Sequence, residues 1–221
     1  FSRTPSNPLK PPPESETQIE EVIDRWSQAE QIHVNEQFEE SEPSLPLKGL
    51  RVLDLTWVLA GPFATRMLAD LGADVIRVQN EEHSTLVNRP DYPYYFVWGR
   101  GKRSATLDMK HPQALKTIRK LIENCDVLIE NYSAGVLDGW GLDWETVKNW
   151  NPRLIYVSMS GCGHDGPWSH VISYAPTVHA ICGITHLTNF ADRGDVGPGF
   201  SLNDHLAGFA AATSTMAAVF E

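Results

Sequence analysis

One carboxylate stands at the head of an alanine-rich apolar stretch that closes this 221-residue chain. Residues 199–221 read GFSLNDHLAGFAAATSTMAAVFE, and this composition predicts a buried helix that begins near Asp204. Two interpretations of Asp204 compete. Ser201 with an acid three residues later matches a capping signal, and an acid in the first turn favours the helix dipole. A carboxylate in this position can also act as a nucleophile in covalent catalysis.

A glycine-rich segment, GCGHDG at 161–166, follows a predicted strand. A dinucleotide fingerprint would need a helix to open at once and an acid about 20 residues later. Pro167 and Trp168 follow instead, and residue 186 is His. The segment therefore predicts a turn close to some ligand. The histidines are too scattered for a metal site, and we interpret His205 as a packed or surface residue.

Basic residues cluster in GRGKRSATLDMK, as Arg100, Lys102, Arg103 and Lys110. Two interpretations stay open on charge pattern alone. The cluster can be a solvated loop and strand edge, or it can form a cradle for phosphates.

The composition excludes several classes of protein. The net charge is −10, with three basic and ten acidic residues in 1–47, so nucleic-acid binding is disfavoured. No run of eighteen apolar residues occurs, so we expect no membrane partner. Three cysteines without a CxxC pair fit a reducing compartment, and we expect the cytoplasm, with an organelle matrix as the alternative.

The order of predicted elements indicates an α/β fold with a mainly parallel sheet flanked by helices. Residues 1–13 are proline-rich, 14–40 can form one exposed helix, and 80–100 predict a loop. Strands are predicted at 51–58, 74–79, 104–109, 126–131 and 153–160, and helices at 61–72, 111–125 and 143–150. Ligands of such sheets bind beyond the carboxyl ends of the strands, here residues 59–62, Asn80, Lys110, 131–132 and 161–166.

Three blocks of sequence resemble the family III CoA-transferases, the CaiB/BaiF group. They are LKGLRVLDLTWVLAGPFATRMLADLGADVIRVQ, GRGKRSATLDMKHP and DVLIENYSAGVLDGWGLDWETVKNWNPRLIYVSMSGCGHDGP. The resemblance covers 47–221 and implies an incomplete, Rossmann-like large domain. It also implies a missing small domain and two interlocked chains.

The resemblance further implies which residues do the chemistry. NDHLAG matches the step that carries the family's aspartate nucleophile, which favours Asp204 in that role. Contacts to coenzyme A carry over onto Val58, Leu59, Ala60, Leu107, Lys110, Asn131 and Tyr132. An acyl-CoA and a free carboxylic acid are then the substrates, with no tightly bound cofactor and no metal. The implied intermediates are an aspartyl-acyl anhydride and an aspartyl-CoA thioester.

Three departures from the family pattern bear on the phosphate contacts. Gly139 and Asn80 stand where members often have Arg, and Ser133-Ala134 replaces a common Arg-Pro. Arg77, Lys102 or Arg103 are therefore alternative phosphate ligands.

Two other functions stay open. Racemases of the family use the same Asp with a His thirty positions upstream, but residue 174 is Tyr, which transferases have there. Tyr174 is thus a candidate substrate contact and a poor base near neutral pH. The chain can also be a catalytically silent half that only binds CoA. Residues 1–46 resemble the closing tail of a preceding transferase-like unit, which predicts a tandem pseudo-dimer as the alternative to an interlocked homodimer.

Overall fold

The computed structural model describes residues 19–28, 45–80, 92–194 and 196–221. Five strands form one parallel sheet in the order β3-β2-β1-β4-β5. They are β1 Arg51–Leu55, β2 Asp74–Gln79, β3 Arg103–Thr106, β4 Val127–Glu130 and β5 Ile155–Ser158. The helices are α1 Ile19–Gln28, α2 Ala60–Asp70, α3 Pro93–Gly99, α4 Ala114–Asn124, α5 Val136–Gly139, α6 Trp144–Trp150, α7 Ala175–Ile181, α8 Ile184–Leu187 and α9 Leu202–Val219. The predicted α/β fold with a mainly parallel sheet is confirmed.

Alternation along β1 divides the core into two layers. All five residues of β1 are buried, as expected for a central parallel strand covered on both faces. Leu53 and Leu55 face α1 and α4, whereas Val52 faces α2 and α9. Asp54 lies on the same face of the strand as Val52. Its carboxylate accepts a hydrogen bond there from the hydroxyl of Thr65 in α2.

Helix α1 packs on the sheet although it precedes the block that resembles the transferases. Its buried residues Ile19, Val22 and Trp26 belong to the same cluster as Ile118 of α4. The indole Nε1–H of Trp26 donates to the carboxylate of Asp74 over 2.8 Å. The remainder of the predicted helix 14–40 lies outside the described residues.

The structure corrects three expectations about secondary structure and packing. Residues 80–100 were expected to form a loop, but α3 forms within them, with Pro93 in its first turn. Helices α5, α7 and α8 were not predicted. Helix α9 is only partly buried, through Gly208, Ala211, Ala212 and Thr215, because the described part of the chain covers one face of it. Its N-cap residue Ser201 makes no side-chain capping hydrogen bond.

No described helix combines the length and apolarity that crossing a membrane would require.

Candidate active site

A cavity of about 140 Å³ opens at the carboxyl ends of β1, β4 and β5. The chain leaves β1 toward β2 on one side and returns to β4 on the other, so the strand order reverses here. Such a switch point is where open α/β sheets bind their ligands. Residues that follow the three strands line the cavity, and the beginnings of α7 and α9 close it.

Six of the nine predicted site residues line this cavity: Val58, Ala60, Asn131, Tyr132, Tyr174 and Asp204. The other three do not. The side chain of Leu59 is only 4% exposed and packs with Phe63 and Trp98. Leu107 and Lys110 follow the edge strand β3, two strands away from β1. Their contacts with coenzyme A stay predictions.

Asp204 lies in the first turn of α9, with its residue partly exposed toward the cavity. Burial raises the pKa of its carboxyl above the usual range, while His205 and the buried His179 oppose that shift. A partly desolvated carboxylate is more basic than a free one, and its oxygen is a better nucleophile. The capping interpretation of this segment relied on Ser201 as the N-cap. Ser201 is the N-cap residue, but its side chain makes no capping hydrogen bond.

Close packing between α9 and α2 fixes the position of Asp204. Gly208 lies one turn after it, and a Cβ there would approach the carbonyl oxygen of Ala60 to 2.7 Å. The same Cβ would come within 2.6 Å of Phe63 Cδ1. Only glycine permits this approach, so the head of α9 is held directly over the start of α2.

The amide of Asn131 holds the turn that forms the opposite wall. Its Oδ1 accepts from the N–H of Trp57 over 2.8 Å, and its Nδ2 donates to the carbonyl of Trp57 over 2.9 Å. Tyr132 stacks on the ring of Trp57 at 6.1 Å between centroids. Both polar atoms of the amide thus bond to backbone, and its expected contact with coenzyme A stays a prediction.

Lys102 is buried, which corrects the expectation that it lies in a solvated loop or a phosphate cradle. Its ammonium lies 2.9 Å from Asp54 Oδ2, and both side chains are sealed from solvent. Arg103 pairs with Asp74 at 2.7 Å, and Arg77 is 3% exposed. None of these three cations lines the cavity. Burial argues against Lys102 and Arg77 as phosphate ligands, and the contact of Arg103 with a phosphate stays a prediction.

A second polar cluster lies behind the cavity and was missed by the sequence analysis. The buried carboxylate of Glu130 accepts from the hydroxyl of Ser158 and from the N–H of Tyr132. His164 Nε2 lies 2.7 Å from the same hydroxyl. Burial raises the pKa of Glu130, and the hydrogen bonds from Ser158 and Tyr132 oppose that shift. This cluster ties the predicted glycine-rich turn to the end of β4.

Two polar atoms on the cavity residues are buried without a hydrogen-bond partner in the described part of the chain. They are Ser160 Oγ and Asn203 Oδ1, and both residues line the cavity with Asp204. Unpaired buried polar atoms are costly, so such atoms beside a cavity suit a polar ligand. Among the described residues, no group of three or more His, Cys, Asp or Glu side chains is placed to hold a metal ion.

Known proteins resemble this chain in sequence and in structure. The sequence model of the family described as CoA-transferase family III matches residues 47–221. A succinyl-CoA:glutarate CoA-transferase from Mus musculus is 37% identical over 80% of this chain and 42% of the mouse protein. A succinate–glutarate CoA-transferase from Agrobacterium fabrum is 36% identical over 79% of this chain and 47% of its own.

The crystal structure of a CAIB/BAIF family protein from Brucella suis superposes with a TM-score of 0.75 and 36% identity. That superposition covers 80% of this chain and 49% of the Brucella protein. The chain thus spans about half the length of the relatives that it matches. The strand order, the cavity at the switch point and these similarities agree, and the chain belongs to the family III CoA-transferases.

Proposed function

We propose that the protein transfers coenzyme A from an acyl-CoA thioester to a free carboxylic acid, with Asp204 as the nucleophile. One observation carries the proposal: Asp204, at the head of α9, lines the cavity beyond the carboxyl ends of the strands. The proposal concerns the full-length protein, because the chain covers less than half of the length of the mouse relative.

The first half of the proposed reaction loads the enzyme. The Asp204 carboxylate attacks the thioester carbonyl, the C–S bond breaks, and CoA leaves as a thiolate. The thiolate then attacks the aspartyl carbonyl of the resulting anhydride and expels the donor acid as a carboxylate. The enzyme now holds CoA as an aspartyl thioester.

The second half reverses these steps with the acceptor. The acceptor carboxylate attacks the aspartyl thioester, which releases the thiolate and forms a new anhydride. The thiolate attacks the acceptor acyl carbon, and Asp204 leaves as a carboxylate. No proton or redox equivalent is consumed, so the residues of the chain need only position the reactants and stabilise developing charge. Ser160 Oγ, which is unpaired on the cavity wall, is suited to donate a hydrogen bond to an oxyanion.

We further propose short dicarboxylic acids as substrates. The relatives from mouse and Agrobacterium fabrum are named for succinate and glutarate, and a relative from Chloroflexus aurantiacus is named a succinyl-CoA–L-malate CoA-transferase. Full-length protein is proposed to act as an interlocked homodimer or a tandem pseudo-dimer. The free cysteines Cys125, Cys162 and Cys182 fit a reducing compartment, the cytoplasm or an organelle matrix.

The test uses the full-length protein with succinyl-CoA as donor and a panel of carboxylic acids as acceptors. Asp204→Asn is expected to abolish exchange, and the wild-type enzyme should form an aspartyl hydroxamate at Asp204 when hydroxylamine is present with acyl-CoA. Asp192→Asn, which changes an exposed carboxylate, is the matched control. Full exchange by Asp204→Asn would refute the proposal. Solvent deuterium at the α-carbon of the acyl group without exchange would instead indicate the racemase reaction.

A further inference from the structure

The turn after β1 contains a strained residue at the wall of the cavity. Val58 has a φ of +62°, and it is the one non-glycine residue with positive φ in the described part of the chain. A β-branched residue rarely adopts this left-handed conformation, because its side chain crowds the backbone. Such strain persists only where the surrounding structure over-determines the conformation, and it concentrates at functional sites.

We infer that Asp54 and Lys102 are positioning residues for the proposed CoA transfer: their buried ion pair holds the turn 56–59 in the strained conformation that shapes the cavity. The inference rests on the proposed function for what the cavity binds. The turn places Trp57 and Val58 on the wall of that cavity.

Asp54 is the anchor of the turn. Its Oδ1 accepts from both the N–H of Thr56, over 2.9 Å, and the hydroxyl of Thr56, over 2.5 Å. Its Oδ2 accepts from the hydroxyl of Thr65 over 2.6 Å. Burial alone would raise the pKa of Asp54, but Lys102, Arg77 and these hydrogen bonds hold it below its usual range. The carboxylate therefore stays ionised and accepts at both oxygens.

Lys102 joins β1 to α2 under the turn. Its ammonium lies 2.9 Å from Asp54 at the end of β1, 2.9 Å from the carbonyl of Pro62 in α2, and 2.6 Å from Thr65 Oγ1. An ammonium has three donors, so all of them are used. Its side chain is 1% exposed, and it therefore acts through the protein and not by touching a phosphate.

The turn is also held from its other side. Asn131 binds the N–H and the carbonyl of Trp57, the residue directly before Val58. Gly61 lies so close to Thr56 that a Cβ would come within 2.4 Å of its side chain. The turn thus has fixed partners on both sides of the strained residue. Asp54 and Asn131 hold Thr56 and Trp57 before it, and the carbonyl of Leu59 after it accepts from the N–H of Phe63 over 2.8 Å. This is the over-determination that strain requires.

A role in general stability alone is the alternative, because breaking a buried ion pair destabilises most proteins. Two results separate the alternatives. Only a positioning role predicts that residue 58 leaves the left-handed region when the ion pair is lost. Only that role predicts rescue by glycine at position 58, since glycine adopts positive φ without strain.

The experiment compares full-length wild type, Lys102→Met, and Lys102→Met combined with Val58→Gly. In Lys102→Met we expect the KM for acyl-CoA to rise about tenfold while kcat changes less than threefold. A crystal structure of this variant should show residue 58 at negative φ. The added Val58→Gly substitution should recover at least half of the lost affinity. Lys116→Met, on the exposed face of α4, is the matched control and should keep wild-type values.

Three results would overturn the inference: φ near +62° in Lys102→Met, a wild-type KM in its folded fraction, or no recovery with Val58→Gly. If Lys102→Met does not fold, Thr65→Val carries the same expectations with a smaller rise in KM, because it removes only one hydroxyl from the network. A wild-type protein without acyl exchange would refute the proposed function, and the φ of residue 58 would still decide the inference.

Discussion

The contact between α9 and α2 gives a test of how Asp204 is positioned. We expect Gly208→Ala to reduce activity clearly while the protein stays folded. The new Cβ would lie 2.7 Å from the carbonyl oxygen of Ala60, and ordinary contacts begin at 3.4 Å, so the helices must separate by about 0.7 Å. Asp204 lies one turn away on the same helix and must move with it.

Two opposing effects on stability partly cancel, whereas nothing offsets the loss of activity. Alanine in place of glycine favours a helix by about 1 kcal/mol, and overpacking costs about 1–3 kcal/mol. The free energy of unfolding should therefore fall by about 0–2 kcal/mol. A misplacement approaching 1 Å costs up to about 100-fold in rate, so we expect kcat/KM for acyl exchange to fall by about 10- to 100-fold.

The assay is acyl exchange by full-length protein together with thermal unfolding. Gly139→Ala is the matched control, because nothing lies within 4 Å of a Cβ at that helical position. It should keep wild-type activity. If Gly208→Ala behaved like this control, close packing of α9 on α2 would not be what positions Asp204, and the reasoning would be refuted.

Three further predictions concern pH, the cavity wall and α1. Because burial raises the pKa of Asp204, kcat/KM should decline with falling pH at a higher pH than the value of about 3.9 for a free aspartate; a pH–rate profile without this shift contradicts the assignment. Asn131→Leu removes the two hydrogen bonds between the amide and the backbone of Trp57, at a cost of about 1–3 kcal/mol, and should raise the KM for acyl-CoA in steady-state kinetics. Trp26→Phe loses a hydrogen bond to the Asp74 carboxylate and should lower the free energy of unfolding by about 1.5–3 kcal/mol in denaturant titrations; an unchanged midpoint would contradict this.

Local sequence patterns were sufficient to predict where most strands of the sheet lie. The residues predicted for the second strand, 74–79, are those of β2. The other strands were predicted in the right places, but their ends were too long, except that the third was predicted to begin one residue after Arg103, where β3 starts. Helix α3 was missed because its aromatic residues and Pro93 were interpreted as loop signals, although proline is common in the first turn of a helix.

Contacts distant in sequence account for what the patterns could not show. Lys102 lies among basic and glycine residues, so nothing local indicates burial; its partner Asp54 is 48 positions away. The positive φ of Val58 could not be predicted from the sequence either, because valine rarely adopts the left-handed conformation. The residues alone left two interpretations of Asp204 open, and only the family resemblance favoured the nucleophile, since an acid in the first turn of a helix is ordinarily structural.

The seating of α1 has a practical consequence for dividing this protein into parts. A protein truncated at residue 47, where the family match begins, would lack Trp26, which packs between the sheet and α4. The Arg51 guanidinium would lose the carbonyl of Trp26, and Asp74 would lose two of its donors, the indole of Trp26 and the guanidinium of Arg25. The residues that the family model matches are therefore fewer than those that pack into this core, and a shortened version of the protein should begin ahead of Ile19.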